Sequence, residues 1–317
     1  MKKILFIIDK FELKYFEFNN LVTNFWLIKE FLNRGNEVYI TINSNLLLIA
    51  GIPFTDCFES YLQDGNIFYK KNILKMNIND FDLVMFRHDP PVDIDYINAT
   101  YIFDFVTTKV VNKPSSIRDF NEKLHSLYFK EYMTDSLVSS SIQNIEEFLH
   151  KHKQIVLKPL NRCFGSGVMF LQEGDLNTRT IINTLTNNGS SIIMVQEFIP
   201  EVKNGDVRIL TLGDKILPYA IKKLPSSDDF KFNTHDDDYL VQSNLSEVLI
   251  DYLTPVAKKL NSMGIEMAGL DVLDDKIIEI NVTSPCYFIK EINNIYKVNL
   301  EKIVADYLLT PTLLSLK

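Results

Sequence analysis

Apolar residues recur at strand spacing over Ile4 to Ile8 and Val38 to Ile42, and between them at helical spacing at Leu21, Val22, Phe25, Trp26, Ile28 and Leu32. This predicts a β-α-β unit whose helix, over 19–34, is stopped by Gly35. A third apolar run, Leu83 to Phe86, leads into Arg87-His88-Asp89-Pro90-Pro91, where two prolines force the chain out of the sheet. Open α/β sheets place ligands at such polar clusters, at the carboxyl ends of parallel strands. A helix over 95–106, a short strand over 110–112 and a helix over 117–129 follow, the last two separated by Lys113-Pro114-Ser115-Ser116.

Beyond Asp119 the pattern changes. Strands are predicted over 137–139, 155–158, 168–171 and 192–198, with helices over 142–150 and 178–185, which reads as a small α+β unit. Two β-rich runs from Asp206 to Lys223 flank Gly213-Asp214, a hairpin signal; an amphipathic helix covers 246–263; a second hairpin turns at Asp274-Asp275; a helical tail ends the chain. Between them, 226–238 has five Asp and only Phe230 and Phe232 as apolar anchors, and is expected to be a mobile loop. The resulting division is an N-terminal α/β substrate-binding domain over 1–119, a small lobe over 120–200 and a C-terminal lobe over 201–317.

Charge narrows the function classes. Lys plus Arg number 33 against 41 Asp plus Glu, a net charge of −8, so no global positive field exists to attract nucleic acid or a membrane surface, and no local basic patch replaces it. No apolar run approaches the roughly 18 residues of a membrane span, the opening run is too short for a signal-peptide core, and Cys57, Cys163 and Cys286 are odd in number and far apart. A reduced, cytoplasmic protein acting on small molecules is expected. Only six basic residues are Arg, so an Arg marks a place where a planar, bidentate fork is needed; Arg87 and Arg208 are the two that matter below.

The densest chemistry lies in Gly269-Leu270-Asp271 through Glu279-Ile280-Asn281-Val282-Thr283-Ser284-Pro285. Alternation places Glu279 and Asn281 on one face and Ile278, Ile280 and Val282 in the core, and a three-residue turn at Asp274 to Lys276 sets Asp271 opposite Glu279. Two carboxylates and an amide suit Mg²⁺; the same pattern also fits the solvated face of an ordinary hairpin. Lys158 at a strand end, followed by a loop with Gly165, Ser166 and Gly167, can present a cation and backbone N–H groups to phosphate, or can be a plain hairpin turn. Lys123 opens a helix and reads either as a phosphate contact or as a solvated lysine. Asp206 and Arg208 share a strand face, and apolar neighbours require the guanidinium to pair or to face a ligand.

Taken in order, Arg87 to Pro91, Asn112-Lys113-Pro114 with Arg118-Asp119-Phe120-Asn121-Glu122-Lys123-Leu124, Leu157 to Leu160, Asp206-Val207-Arg208 and the 269–285 motif resemble bacterial glutathione synthetase over nearly the whole chain. The resemblance implies an N-terminal parallel-sheet (pre-ATP-grasp) domain followed by a two-lobed ATP-grasp fold, in a symmetric oligomer. It implies an ATP-dependent carboxylate–amine ligase of glutathione biosynthesis acting through an acyl phosphate, which the loop 226–238 would close over as a lid against water. Carried over by position, Lys123 and Lys158 contact phosphates, Gln196, Glu197, Phe198 and Ile199 line the adenine slot, Asp206 meets the ribose, and Arg208 steadies the transferring group. Asp271, Glu279 and Asn281 hold two Mg²⁺, with Mn²⁺ as a substitute, and Arg87, Asp89, Lys223, Lys231, Asn233, Ser284 and Pro285 form the substrate side. Val22 stands where the family has Asp, Lys223, Lys231 and Lys290 stand where Arg is expected, and Lys231-Phe232-Asn233 replaces Arg-Gly-Asn. Those departures keep open a ligase of the same mechanism that joins a different acid and amine, such as a peptide or protein end; a nucleotide-binding protein without turnover is the third reading.

Overall fold

The structure, a computed structural model, describes residues 1–9, 22–163, 165–225 and 239–310. The first sheet is built on three parallel strands, β1 (Lys3–Ile7), β2 (Glu37–Thr41) and β7 (Leu83–Phe86), with β8 (Val110–Val111) extending it in parallel beyond β7. Helix α1 (Thr23–Asn33) covers one face of β1 and β2 and ends at Gly35, whose φ of 75° lets its amide return to the Leu32 carbonyl. Helix α2 (Ile94–Ile102), capped by Asp93, packs on the other face through Tyr96 and Ala99.

The sheet is not purely parallel as expected. A long strand β4 (Ile52–Gln63) adds antiparallel to β2 and carries β3 (Leu46–Ile49), β5 (Asn66–Tyr69) and β6 (Leu74–Asn77) as antiparallel neighbours. The expected helix over 117–129 is broken. Helix α3 (Pro114–Asp119) ends before Asn121, whose side chain accepts from the Lys123 and Leu124 amides at 3.1 and 2.9 Å, and a tighter 3-10 stretch follows over Leu124–Tyr132. That side-chain turn competes with the helical ladder and frees Glu122 to point elsewhere.

A four-stranded antiparallel sheet follows, in the order β11 (Met169–Gln172), β10 (Gln154–Pro159), β12 (Ile193–Glu197), β9 (Ser136–Ser139). Helices α4 (Ile142–His152), capped by Ser141, and α5 (Thr178–Leu185) cover one of its faces with a separate core of Ile145, Leu149, Ile155, Leu157, Ile182 and Val195. On the other face Met194 and Val138 pack into the core beneath the third sheet described next, and Lys158 and Gln196 face the site.

The third sheet runs β15 (Leu240–Asn244), β14 (Lys215–Lys223), β13 (Asp206–Leu212), β16 (Met267–Leu273), β17 (Lys276–Asn281), all antiparallel. Helix α6 (Glu247–Ser262), capped by Ser246, lays Leu253, Val256, Ala257 and Leu260 on one face, each large side chain contributing about 2 kcal/mol by leaving water. On the opposite face Leu210, Leu212 and Met267 join α7 (Ile289–Tyr296), α8 (Leu300–Leu309) and the α1 side of the first sheet in one continuous core. Among the described residues no helix is long and apolar enough to cross a membrane.

Candidate active site

The site forms at the end of the third sheet's inner face, beyond the core residues Leu210 and Met267. Strand register sets Arg208 beside Asp271, Asp206 beside Lys223, Asp271 beside Glu279 and Gly269 beside Asn281. The pairing of Asp271 with Glu279 is as expected, but its route is different. The turn has two residues, Asp274 and Asp275 at φ 48° and 60°, with Leu273 opposite Lys276, and the ladder then takes in one extra residue between Val272↔Ile277 and Asp271↔Glu279. A straight two-residue hairpin would have paired Asp271 with Ile278 and turned Glu279 into the core. The extra residue is Ile278, which is therefore only half-buried and not the core residue that simple alternation predicts; Ile277, Ile280 and Val282 fill that role. Ile278 instead lends its carbonyl to the Lys158 ammonium at 3.0 Å.

The cations and carboxylates interlock. Arg208 forks onto Asp271, Nε to Oδ1 at 2.7 Å and Nη2 to Oδ2 at 3.0 Å, while Nη1 donates to the Cys286 carbonyl at 3.2 Å. Lys223 bridges Asp271 and Asp206 at 2.9 and 2.8 Å. Asn281 donates to Asp271 at 3.0 Å, and Lys123 meets Glu279 at 3.0 Å and the Arg162 carbonyl at 2.7 Å. Lys158 also donates to Gln196 Oε1, whose Nε2 reaches Ser136.

Electrostatics follow from burial. Desolvation opposes ionisation of Asp271, but Arg208 and Lys223 outweigh it and hold that carboxyl well below the usual range. Burial likewise works against Arg208 and Lys223, and Asp271 more than restores their charge. Burial pushes Asp206 up, and its Oδ1 has no hydrogen-bond partner. Lys158 is pushed down to about 8, first by desolvation and further by Lys123, against the pull of Glu279.

On the substrate side, Arg87 is buried at the end of β7, with Nε on Asn24 Oδ1 at 2.9 Å and Nη2 on the Pro285 carbonyl at 3.0 Å. Asp89 is raised by burial and by Asp9, with Ser284 bonded to it. Gly165, Ser166 and Gly167 lie in the β10–β11 connection, where the Ser166 and Val168 amides are already occupied by turn bonds to the Cys163 and Gly165 carbonyls. Glu197, Phe198 and Ile199 continue β12, with Phe198 against Phe170 at 4.7 Å. Lys231, Asn233 and the whole expected lid, 226–238, lie outside the described residues. Among the described residues no three of His, Cys, Asp and Glu cluster as a metal site; the hard-oxygen set is Asp271, Glu279 and the Asn281 amide.

Two contributors carry no sign in the local sequence. A Cβ on Gly269 would lie 2.9 Å from Arg208 Cδ, so the guanidinium reaches Asp271 only because residue 269 has no side chain. Glu122 grips the segment after Asn281, at residues 160 and 161 positions away.

A two-lobed unit with antiparallel sheets facing each other over lysines, an arginine and paired acidic residues defines the ATP-grasp class, here behind an α/β domain. The fold of D-cycloserine synthetase superposes with a TM-score of 0.67 at 13% identity, covering 96% of this chain and 99% of that one. An ATP-grasp ligase of Chryseobacterium gregarium gives 0.65 at 18%, covering 97% and 96%. Residues 3–118 match "Prokaryotic glutathione synthetase, N-terminal domain" and 122–297 match "Prokaryotic glutathione synthetase, ATP-grasp domain". Glutathione synthetase of Vibrio vulnificus is 34% identical over 289 residues, 90% of this chain and 91% of that protein, and that of Buchnera aphidicola 33% over 294. The chain belongs to the prokaryotic glutathione synthetase family. It is an ATP-dependent carboxylate–amine ligase acting on small molecules, in a family that works with ATP and a divalent metal.

Proposed function

We propose that the enzyme joins γ-glutamylcysteine to glycine, using two Mg²⁺ ions for which Mn²⁺ can substitute. The observation carrying this is that Lys123 pairs with Glu279, and Arg208 and Lys223 with Asp271, at one sheet end, with Lys158 beside them on the Ile278 carbonyl, in a chain similar to glutathione synthetases over 90% of its length. The acid's carboxylate attacks the γ-phosphorus of ATP and ADP leaves. The amine, as the free base, then attacks the acyl carbon, phosphate departs with the C–O bonding pair, and the nitrogen's surplus proton leaves with the phosphate.

This chemistry needs positioning and charge neutralisation rather than a protein nucleophile. Lys123 and Lys158 exchange Glu279 and Gln196 for phosphate oxygens. Gln196 to Ile199 flank the adenine, and the unpartnered oxygen of Asp206 accepts from a ribose hydroxyl. The donor set fits a divalent ion, because Mg²⁺ takes one or two carboxylates and completes its shell with phosphates and water; Asp271, Glu279 and Asn281 would hold it. Once bound, such an ion lowers the charge on the phosphates. Arg208, held beside the site by Asp271 and the Cys286 carbonyl, meets the developing charge on the phosphoryl group and the tetrahedral centre, sharing Asp271 with the ion once that is bound. Arg87, Asp89, Lys223, Ser284 and Pro285 face the two substrates.

One observation favours a different acid. Val22 sits at the N-cap of α1 with no capping side chain, where the resemblance places a carboxylate. Phosphate release from ATP, measured with γ-glutamylcysteine and glycine against a panel of other acids and amines, decides between them. Release that requires both named substrates is the expected result; preference for another pair replaces the substrates and leaves the ligase mechanism standing.

A further inference from the structure

Glu122 takes no part in the cation set, yet its side chain reaches the end of β17. Its Oε1 accepts from the Val282 amide at 2.7 Å, the Thr283 amide at 3.0 Å and the Thr283 hydroxyl at 3.1 Å. Its own carbonyl accepts from the Ile280 amide at 3.4 Å. From the first sheet's side, Asn112, directly after β8, donates to the Val282 carbonyl at 2.8 Å and the Met267 carbonyl at 2.7 Å, and accepts from the Met267 amide at 2.8 Å. Both polar groups of the Val282 backbone are thus held by side chains from outside the sheet. A strand's last backbone groups lack ladder partners, and a strand end without substitutes frays. Here that end carries Glu279 and Asn281, and a binding constellation works only when its side chains hold to within about 0.5 Å.

We propose that Glu122 is a positioning residue: a three-bond acceptor which, with Asn112 on the other side of the Val282 backbone, sets where β17 ends and so where Glu279 and Asn281 present their oxygens. This rests on reading Asp271, Glu279 and Asn281 as the metal site. The role requires an acceptor of the right reach, and a negative charge is not part of it, since Glu279 already places like charge nearby. Gln keeps the reach and an acceptor oxygen. Asp keeps the charge but is one methylene shorter.

The test is Mn²⁺ binding to the full chain in the presence of ADP, read from the electron paramagnetic resonance of free ion, alongside kcat and the KM for ATP. Glu122→Asp is expected to weaken Mn²⁺ binding by at least about tenfold, the scale of a lost outer partner of a metal ligand, and to lower kcat with the KM for ATP nearly unchanged. Glu122→Gln restores Mn²⁺ affinity to within about threefold of the wild type. Thr283→Val removes one of the three bonds, falls between the two, and decides the matter if circular dichroism finds Glu122→Asp unfolded. The reverse order, Asp retaining affinity and Gln losing it, overturns the proposal, as does wild-type affinity in Thr283→Val. Glu279→Gln in the same titration tests the underlying metal site: wild-type affinity there means the site itself is misassigned, whereas loss there with an unaffected Glu122→Asp removes only the positioning role.

Discussion

Arg208 carries a fork, a third bond to Cys286 and a buried position, and a lysine can satisfy only part of this. Arg208→Lys is expected to lower kcat by about a hundredfold, the scale of losing one donor aimed at developing charge, while the KM for ATP moves only a few-fold. A large rise in that KM with kcat intact would assign Arg208 to ground-state binding. Gly269→Ala tests the same guanidinium from beneath: its Cβ would stand 2.9 Å from Cδ and 3.1 Å from Nη1. Overpacking of this kind costs about 1–3 kcal/mol, so the variant should melt lower and lose kcat by more than its unfolded fraction explains. Lys158 gives the site a pH signature. Its ammonium titrates near 8 in the free protein, below the ordinary 10.5, and phosphate oxygens favour the charged form. Nucleotide binding therefore takes up protons around pH 8 and weakens as pH rises above it. Calorimetry in buffers of different ionisation enthalpy reads the uptake directly, and its absence in Lys158→Met assigns it.

The β16–β17 hairpin places every proposed metal ligand, and its turn strains two Asp into the left-handed region. Replacing Asp274-Asp275 by Asn-Gly, the preferred pair for this turn, should stabilise the protein by about 1 kcal/mol with turnover unchanged, measured by denaturant titration. Elements of this type were legible in the sequence because their turn residues and alternation are local; Gly213-Asp214 and the small lobe are further cases. Strand β4 was not, because its buried positions, Pro53, Thr55, Cys57 and Ser60, read as polar or turn residues. The Thr55 hydroxyl is matched by Thr41 at 2.9 Å, a compensation between residues on different strands. The bulge at Ile278 was hidden for a related reason: two adjacent isoleucines, Ile277 and Ile278, do not reveal which one the ladder skips. In the site, residue chemistry at short spacing marked Asp271, Glu279 and Asn281, whereas the reach of Glu122 to Val282, across 160 positions, leaves no local trace.

At the scale of the whole molecule, the first and third sheets share one core, running from Ile4, Phe31 and Met85 through Tyr287 to Leu212 and Met267, while the small lobe keeps its own around Ile155 and Leu171. Scanning calorimetry is expected to resolve the small lobe from a larger transition that melts the first and third sheets together, and a chain beginning at residue 120 should not fold, as judged by near-ultraviolet circular dichroism. The segment after β17 adds to this coupling, since it is held residue by residue: Thr283 by Glu122, Ser284 by Asp89, Pro285 by Arg87, Cys286 by Arg208 and Tyr287 by Thr23. It has no helix or strand of its own, so its backbone protons would ordinarily exchange with water within moments. Because their partners, the Glu122 carboxylate and the Thr23 hydroxyl, are held on elements far away in the chain, the amides of Val282, Thr283 and Tyr287 can open only when the joint body opens, and their deuterium uptake should be as slow as that of β1.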